Sequence, residues 1–570
     1  MPDAPSSSLA CDTLILGGGT AGCVLAARLS EDAHRQVILV EAGRDISAQD
    51  IPADISARYP GRAYLDTRNI WARLSALMGA GNAPRQPRRY EQARLLGGGS
   101  AINALMANRG APGDYDEWES LGAEGWGWRD CLPVFRAIEA DRDFSGPLHG
   151  TDGPIIVRRI SHGAISPFVD GVMRTLDARG YPIRPDQNGE WLDGAYRGTV
   201  AVSDDGSRQP TSLAYLTSDV RRRPNLRVIT DHQARRLLTD GGRITGAELD
   251  SPAGSLTIDA AQVVLAAGAI HSPALLLRSG IGPASELRAL GIPVVADRAG
   301  IGRNLMEHPS IAVATWLPPA FRERNPDEHH EQAIWRYSSG LAGAPAGDMH
   351  AAILSRAGWH CVGRRTGCLF FWVNKSWSRG SVRLAAADPV AEPLVDFRML
   401  SDERDLMRLC EALRMGAELL LDPRLDGARD VVFPASYSPR VAQIAVPGRW
   451  NAFQRGTLAA LLDAAGPLRA ALIRTVVSEG ITIRDLLTDE SALTDFVRRN
   501  VGGTWHPSGT CRMGRSDDPQ AVTTARGEVI GVAALRVADA SLMPSIPRAN
   551  TNMPTIMIAE RIAAFIRAEG

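Results

Sequence analysis

Three glycines at fixed spacing, Gly17-x-Gly19-x-x-Gly22, stand between a short apolar run and a helical one, and they limit this chain more than any other feature. Thr13-Leu14-Ile15-Leu16 reads as a strand, Val24, Leu25, Ala27 and Leu29 as the helix, and Val37-Ile38-Leu39-Val40 as a second strand ending at Glu41. Continuous apolar strands suit a parallel sheet buried on both faces. The glycines permit a tight turn, close approach of a pyrophosphate and helix–strand packing, with the helix N-terminus facing the anion. Glu41, about 20 residues beyond the turn, suits hydrogen bonds to an adenosine ribose. Gly17, Gly19, Thr20, Ala21, Gly22, Glu41 and Ala42 are therefore expected at a dinucleotide. The motif does not separate FAD from NAD.

At 570 residues the chain exceeds one ordinary domain. Its pattern turns mixed and polar from about 155 to 225, returns to strands at Leu226-Arg227-Val228-Ile229 and Gln262–Gly268, and changes again from about 313 to 500. This alternation predicts an α/β protein with a discontinuous nucleotide domain (10–157, 226–312 and 500–570). A second domain, 158–225 and 313–499, is inserted in it. Leu406, Leu409, Leu413, Ala417 and Leu420 repeat at helical spacing, with Ser401 as the expected cap and Pro423 as a stop.

Lys+Arg (63) nearly balance Asp+Glu (64), and no basic tract points to nucleic acid or an anionic membrane. Arg221-Arg222-Arg223 reads as a solvated loop. The seven cysteines are scattered, with no pair at metal-ligand spacing, so free thiols are expected and no metal. The opening Met1–Ser8 has no basic start or apolar run, and no segment reaches the ~20 apolar residues of a membrane span. A cytoplasmic location is the resulting expectation.

Further motifs carry a family likeness. Leu95-Leu96-Gly97-Gly98-Gly99-Ser100-Ala101-Ile102-Asn103 resembles the first signature of the glucose-methanol-choline (GMC) oxidoreductases, and Gly268–Gly282 resembles the second. Ile301–His308, the histidine block 505–514 and Val537-Ala538-Asp539-Ala540-Ser541 are also similar, as are Tyr90–Ser100, Asn108-Arg109-Gly110, Asp114–Trp118, Phe371–Lys375 and Arg548–Asn552. The resemblance spans nearly the whole chain. It implies FAD, a Rossmann-like FAD domain, and a substrate domain of antiparallel sheet with flanking helices. It also implies flavin contacts at Gly97, Gly99, Ser100, Asn103, Ala104, Ala234, Ala267, Gly268, Trp505, Asp539, Ala540, Asn552 and Met553. Some members attach FAD through a histidine in the first signature. Ile102 occupies that position here, and a hydrocarbon cannot form the bond, so non-covalent FAD is expected.

The same resemblance singles out His506 in Thr504-Trp505-His506-Pro507 and Asn550 in Ala549-Asn550-Thr551-Asn552. A lone histidine is ordinarily structural, and His271 and His308 are read that way, as packing or capping residues. An imidazole titrates near neutrality and can accept an alcohol proton. An amide both donates and accepts, which suits Asn550 to hold the alcohol oxygen, although a helix cap would use it equally well. Pro554 suits the first turn of a C-terminal helix whose free N–H groups favour negative charge on a flavin. Phe371, Trp372 and Trp505 are expected to wall a pocket for a planar substrate, with core packing the competing role. The implied activity is oxidation of a small primary alcohol on an aromatic or furan-like ring, with O2 as acceptor and H2O2 as product. A same-fold dehydrogenase using a quinone and a flavin-containing hydroxynitrile lyase remain open.

Overall fold

The structure, a computed structural model, describes residues 8–80, 85–251, 254–435, 443, 445–478 and 480–569; Met1–Ser7 lie outside them. Two large sheets organise an α/β fold. In the first, Leu226–Ile229, Val37–Val40, Ser8–Leu16 and Gly254–Leu265 lie side by side and parallel. Arg243–Ser251 and Gln233–Asp240 extend it antiparallel, and Leu535–Val537 joins beside Gly254–Leu265. Register sets Leu14 level with Ile38 and Val263, which is why this stretch must be apolar on both faces. The helix Thr20–Leu29 packs against the C-terminal helix Asn552–Glu569, so the two ends of the chain close one core.

The second sheet runs Val432–Ala435, Ser310–Trp316, Thr366–Val373, Met349–Leu354, Glu331–Tyr337, Gly194–Arg197 and Ile183–Arg184, antiparallel except for the last pair. The long helix Glu403–Leu420 covers one face and buries Leu406, Leu409, Leu413, Ala417 and Leu420, as their spacing predicts. Its cap is Asp402 rather than Ser401. The Asp402 carboxylate accepts the Arg404 N–H, a better partner for the positive helix end than a hydroxyl.

Three more expectations need correction. Part of segment 211–225 packs with the nucleotide domain: Tyr215 and Leu216 join the core of the first sheet, and Thr211 reaches Ser100. Arg221-Arg222-Arg223 is no free loop either. Arg221 ends a short helix and pairs with Asp45, while Arg223 donates to the Ala27 carbonyl and Ser30. Phe371 is not a pocket wall. Successive strand residues face opposite sides of a sheet, and Phe371 points into the core under the long helix, fully buried beside Trp335 and Tyr337. All seven cysteines are free. Among the described residues no single helix is long and apolar enough to cross a membrane.

The Phe371 contact is tight: a Cβ added at Gly416 in the covering helix would lie 2.4 Å from the ring. Gly→Ala ordinarily stabilises a helix by about 0.5–1 kcal/mol. Overpacking of about 1–3 kcal/mol outweighs that here. Gly416→Ala should therefore lower the urea midpoint, and a raised midpoint would show that the ring yields.

Candidate active site

The two glycine loops touch. Gly97 N–H donates to the Gly18 carbonyl at 2.7 Å, and a Cβ at Gly98 would come within 2.5 Å of Gly19 Cα. Gly17 takes φ +110°, and a Cβ at Gly22 would lie 1.9 Å from the Gly17 carbonyl, so turn and helix meet only through glycine. Above this contact there is room: a Cβ at Gly99 would meet nothing within 4 Å, and one at Gly19 nothing nearer than 3.8 Å. No side chain caps the helix starting at Thr20. Thr20 instead donates to Asn552 Oδ1 at 3.0 Å, which brings the N-termini of the first and last helices together. Two such termini form a region favouring anionic groups.

Glu41 ends its strand as expected. Its oxygens accept the N–H groups of Gly18 and Gly43, each at 2.8 Å, and each keeps a lone pair for a ribose hydroxyl. Burial raises its pKa, against the pull of those N–H groups and Arg94. A glycine cradle with open space above it, an uncapped helix and this carboxylate together fit a flavin dinucleotide. Ala21 and Gly22 lie in that helix, Ala42 follows Glu41, and Ala234 sits on the sheet's antiparallel extension. Several other expected contacts are occupied within the protein. Asp539 accepts from Gly268 N–H, Ser272 and Ser541 N–H; Ser100 donates to the Gly97 carbonyl; Asn103 accepts from Leu105 N–H and Arg208. Ala267 N–H is held by Ser272, the Ala540 carbonyl by Gly509 N–H, and Met553 is buried in the core. Ala104 packs beside Leu105 and Met106, and Ile102 against the cluster of Ile46, Ile55, Ala63, Leu95 and Ala101.

His506 and Asn550, far apart in sequence, meet: Asn550 Nδ2 lies 3.2 Å from His506 Nε2. Asn550 Oδ1 is buried with no partner. Behind the ring, His506 Nδ1 lies 3.0 Å from His308 Nδ1 and 2.8 Å from Thr504 Oγ1. The backbone N–H of His506 is held by Glu307, which also accepts from His308 N–H, Thr504 and Tyr90. His308 is thus neither cap nor filler, since it touches the candidate base directly. In the sequence Glu307 stands only as part of the Ile301–His308 motif, and a buried acid has no local signature.

Trp372 lies on the sheet face opposite Phe371 and stacks on His350 at 4.2 Å between ring centroids. His350 is buried with its Nε2 unpartnered, and burial foremost, then Arg336 and His506, holds its pKa well below the ordinary value. Trp505 adopts φ +61°, remains 45% exposed and donates to Glu91. Trp505 therefore stays accessible beside His506, whereas Trp372 is only 2% exposed and His271 stacks on Trp71.

This combination defines a flavin-dependent oxidoreductase. Two family models described as GMC oxidoreductase match residues 11–310 and 376–559, and the chain belongs to that family of FAD-dependent enzymes. It is 42% identical to 5-(hydroxymethyl)furfural oxidase of Methylovorus sp. (strain MP688), covering 97% of this chain and 98% of that protein. It is 32% identical to oxygen-dependent choline dehydrogenase of Ectopseudomonas mendocina (strain ymp), over 98% and 94% of the two chains. The crystal structure of pyridoxine 4-oxidase from Mesorbium loti matches with a TM-score of 0.80 at 27% identity, over 98% and 99%.

Burial pushes His506 down to about 3, His330 to about 3, and His329 and His360 to about 4, while His308 and His350 fall well below their ordinary value. His149 goes the other way: burial lowers it, but hydrogen bonds to Asp141, Asp186 and Glu139 prevail and lift it to about 10. Where the folded pKa lies below the unfolded one, the unfolded chain binds more protons and stability falls as pH drops below about 6.5. His149 works the other way, since its contribution fades from about 6.5 up to about 10, and so does the Glu331 carboxyl, which burial pushes up to about 8. Between about pH 7.5 and about pH 5 these two gains are outweighed by the six lowered imidazoles. Thermal melts should show a lower Tm at about pH 5 than at about pH 7.5; an equal or higher Tm would contradict burial of these imidazoles in neutral form.

Proposed function

We propose that the protein oxidises primary alcohols on aromatic or furan-like rings to aldehydes, with His506 as base, Asn550 holding the alcohol oxygen, and O2 as final acceptor giving H2O2. The observation that carries this reading is the Asn550 amide 3.2 Å from His506 Nε2 with its Oδ1 unpaired. An alcohol oxygen lodged beside both would donate its proton towards Nε2 and accept from the amide. FAD, when bound, would supply the hydride acceptor. A free alkoxide is too costly for an imidazole of aqueous pKa about 6.5 to generate, so His506 takes the proton as the carbinol hydride departs. The N-terminus of Asn552–Glu569 would favour negative charge on a bound flavin. An aldehyde hydrate presents the same H–C–O–H unit, which permits slower oxidation to the acid. The FAD is held non-covalently, with Ile102 in place of a linking histidine.

The ring preference draws on the furfural oxidase relative and on Trp505, the neighbour of His506 that remains 45% exposed. Choline suits the site poorly, because its cation needs a free carboxylate or an aromatic cage. Glu307 is the buried acid beside His506, and its oxygens are already occupied by Tyr90, Thr504 and two backbone N–H groups.

Losing a positioned base costs about 10²–10⁴-fold. His506→Ala should keep FAD yet slow anaerobic flavin reduction by that factor, and Asn550→Ala should slow it less; a His506→Ala rate within a fewfold of wild type would remove it as the base. Bleaching by benzyl or furfuryl alcohol should outpace bleaching by ethanol or choline, and the reverse order would sink the ring preference. Slow reoxidation by air would mark a dehydrogenase, and no bleaching a lyase. Acid precipitation should leave free FAD in the supernatant, whereas yellow precipitate would reveal covalent attachment.

A further inference from the structure

An imidazole acts as a base only through a nitrogen that carries no proton, and it has two tautomers to choose between. Contacts behind the His506 ring settle which one it adopts. His308 Nε2 lies 3.1 Å from the carbonyl oxygen of Pro547. A carbonyl only accepts, so His308 Nε2 carries a proton. His308 is fully buried, with His506, His350 and Lys375 as the charged or titratable groups acting on it, and burial foremost keeps it from taking a second proton. Its Nδ1 is therefore bare. That atom lies 3.0 Å from His506 Nδ1, so the proton between them belongs to His506.

Thr504 leads independently to the same assignment. Its hydroxyl is 3.0 Å from Glu307 Oε1 and 2.8 Å from His506 Nδ1. Donating to the carboxylate leaves it only an acceptor towards the imidazole. With the ring proton on Nδ1, Nε2 is bare, and Nε2 is the atom that faces Asn550. Pro547 stands three residues before Asn550, so one loop both presents the amide and, through its carbonyl, orients the base.

We infer that His308 is a positioning residue: clamped by the Pro547 carbonyl, it holds His506 as the Nδ1–H tautomer and keeps Nε2 free for the substrate proton. This rests on the reading of His506 as base. It assigns no contact between His308 and substrate. Thr504 reinforces the lock but cannot replace it, because a hydroxyl freed from Glu307 can rotate and donate instead.

The test is long-range ¹H–¹⁵N correlation spectroscopy on holoenzyme labelled with [¹⁵N]histidine, with His506 assigned through His506→Gln. Wild type should show His506 protonated at Nδ1 and bare at Nε2. His308→Leu should populate the Nε2–H form and slow anaerobic flavin reduction by about 10²-fold at unchanged FAD content, an effect in the range of losing a positioned base. His308→Gln, whose amide can accept from His506 and donate to Pro547, should restore the spectrum and most of the rate. Finding Nε2–H in wild type would overturn the proposal even if His308→Leu fails to fold. Equal behaviour of the Leu and Gln variants in spectrum and rate would also overturn it, by reducing His308 to packing. Failure of the base assignment is distinguishable: His506→Ala would then reduce flavin normally, while the wild-type spectrum would still report the tautomer.

Discussion

The site depends on one buried carboxylate. Glu307 is almost completely removed from water, a cost that only a full set of donors can offset. Tyr90, Thr504 and the backbone N–H groups of His308 and His506 supply it. These donors come from three distant stretches of chain, and each is fixed in place by the same acceptor. Trp505, in the left-handed backbone region, lies between two of the donors, so the bend there is held from both sides. Removing the acid would free the loop that carries His506.

A second constraint joins the chain's ends. The parallel pairing of Ser8–Leu16 with Gly254–Leu265, and of that strand with Leu535–Val537, brings the first and last helices side by side. The Thr20–Asn552 hydrogen bond then sets their N-termini within one polar region. Each terminus leaves unpaired N–H groups, and together they create a field that neither makes alone. This is why a nucleotide motif at residue 17 and an amide at residue 550 belong to one site.

The aromatic residues show how a sheet sorts neighbours. Phe371 and Trp372 are adjacent in sequence and were expected to share a wall, yet the pleat sends one under the long helix and the other onto His350. Ser401 and Asp402 differ for a comparable reason: the backbone reaches its extended cap conformation at Asp402, and Ser401 is left in the preceding turn.

The dinucleotide turn, its flanking strands and the Glu41 position were legible in the sequence because glycine spacing and apolar runs act over a few residues. So was the buried stripe from Leu406 to Leu420, whose period is local. His506, Asn550 and the flavin contacts stood out by family resemblance rather than by local physics. Glu307 as organiser, the contact of His308 with His506, the carbonyl of Pro547 and the unpaired Nε2 of His350 were not legible, since each depends on residues brought together from far along the chain. By itself, then, the sequence determined the α/β class, the nucleotide cradle and the residue types available for proton transfer. Only the tertiary structure decided which groups meet the two nitrogens of His506 and which aromatic enters the core under the long helix, because hydrogen-bond partners and sheet faces exist only once distant segments have packed.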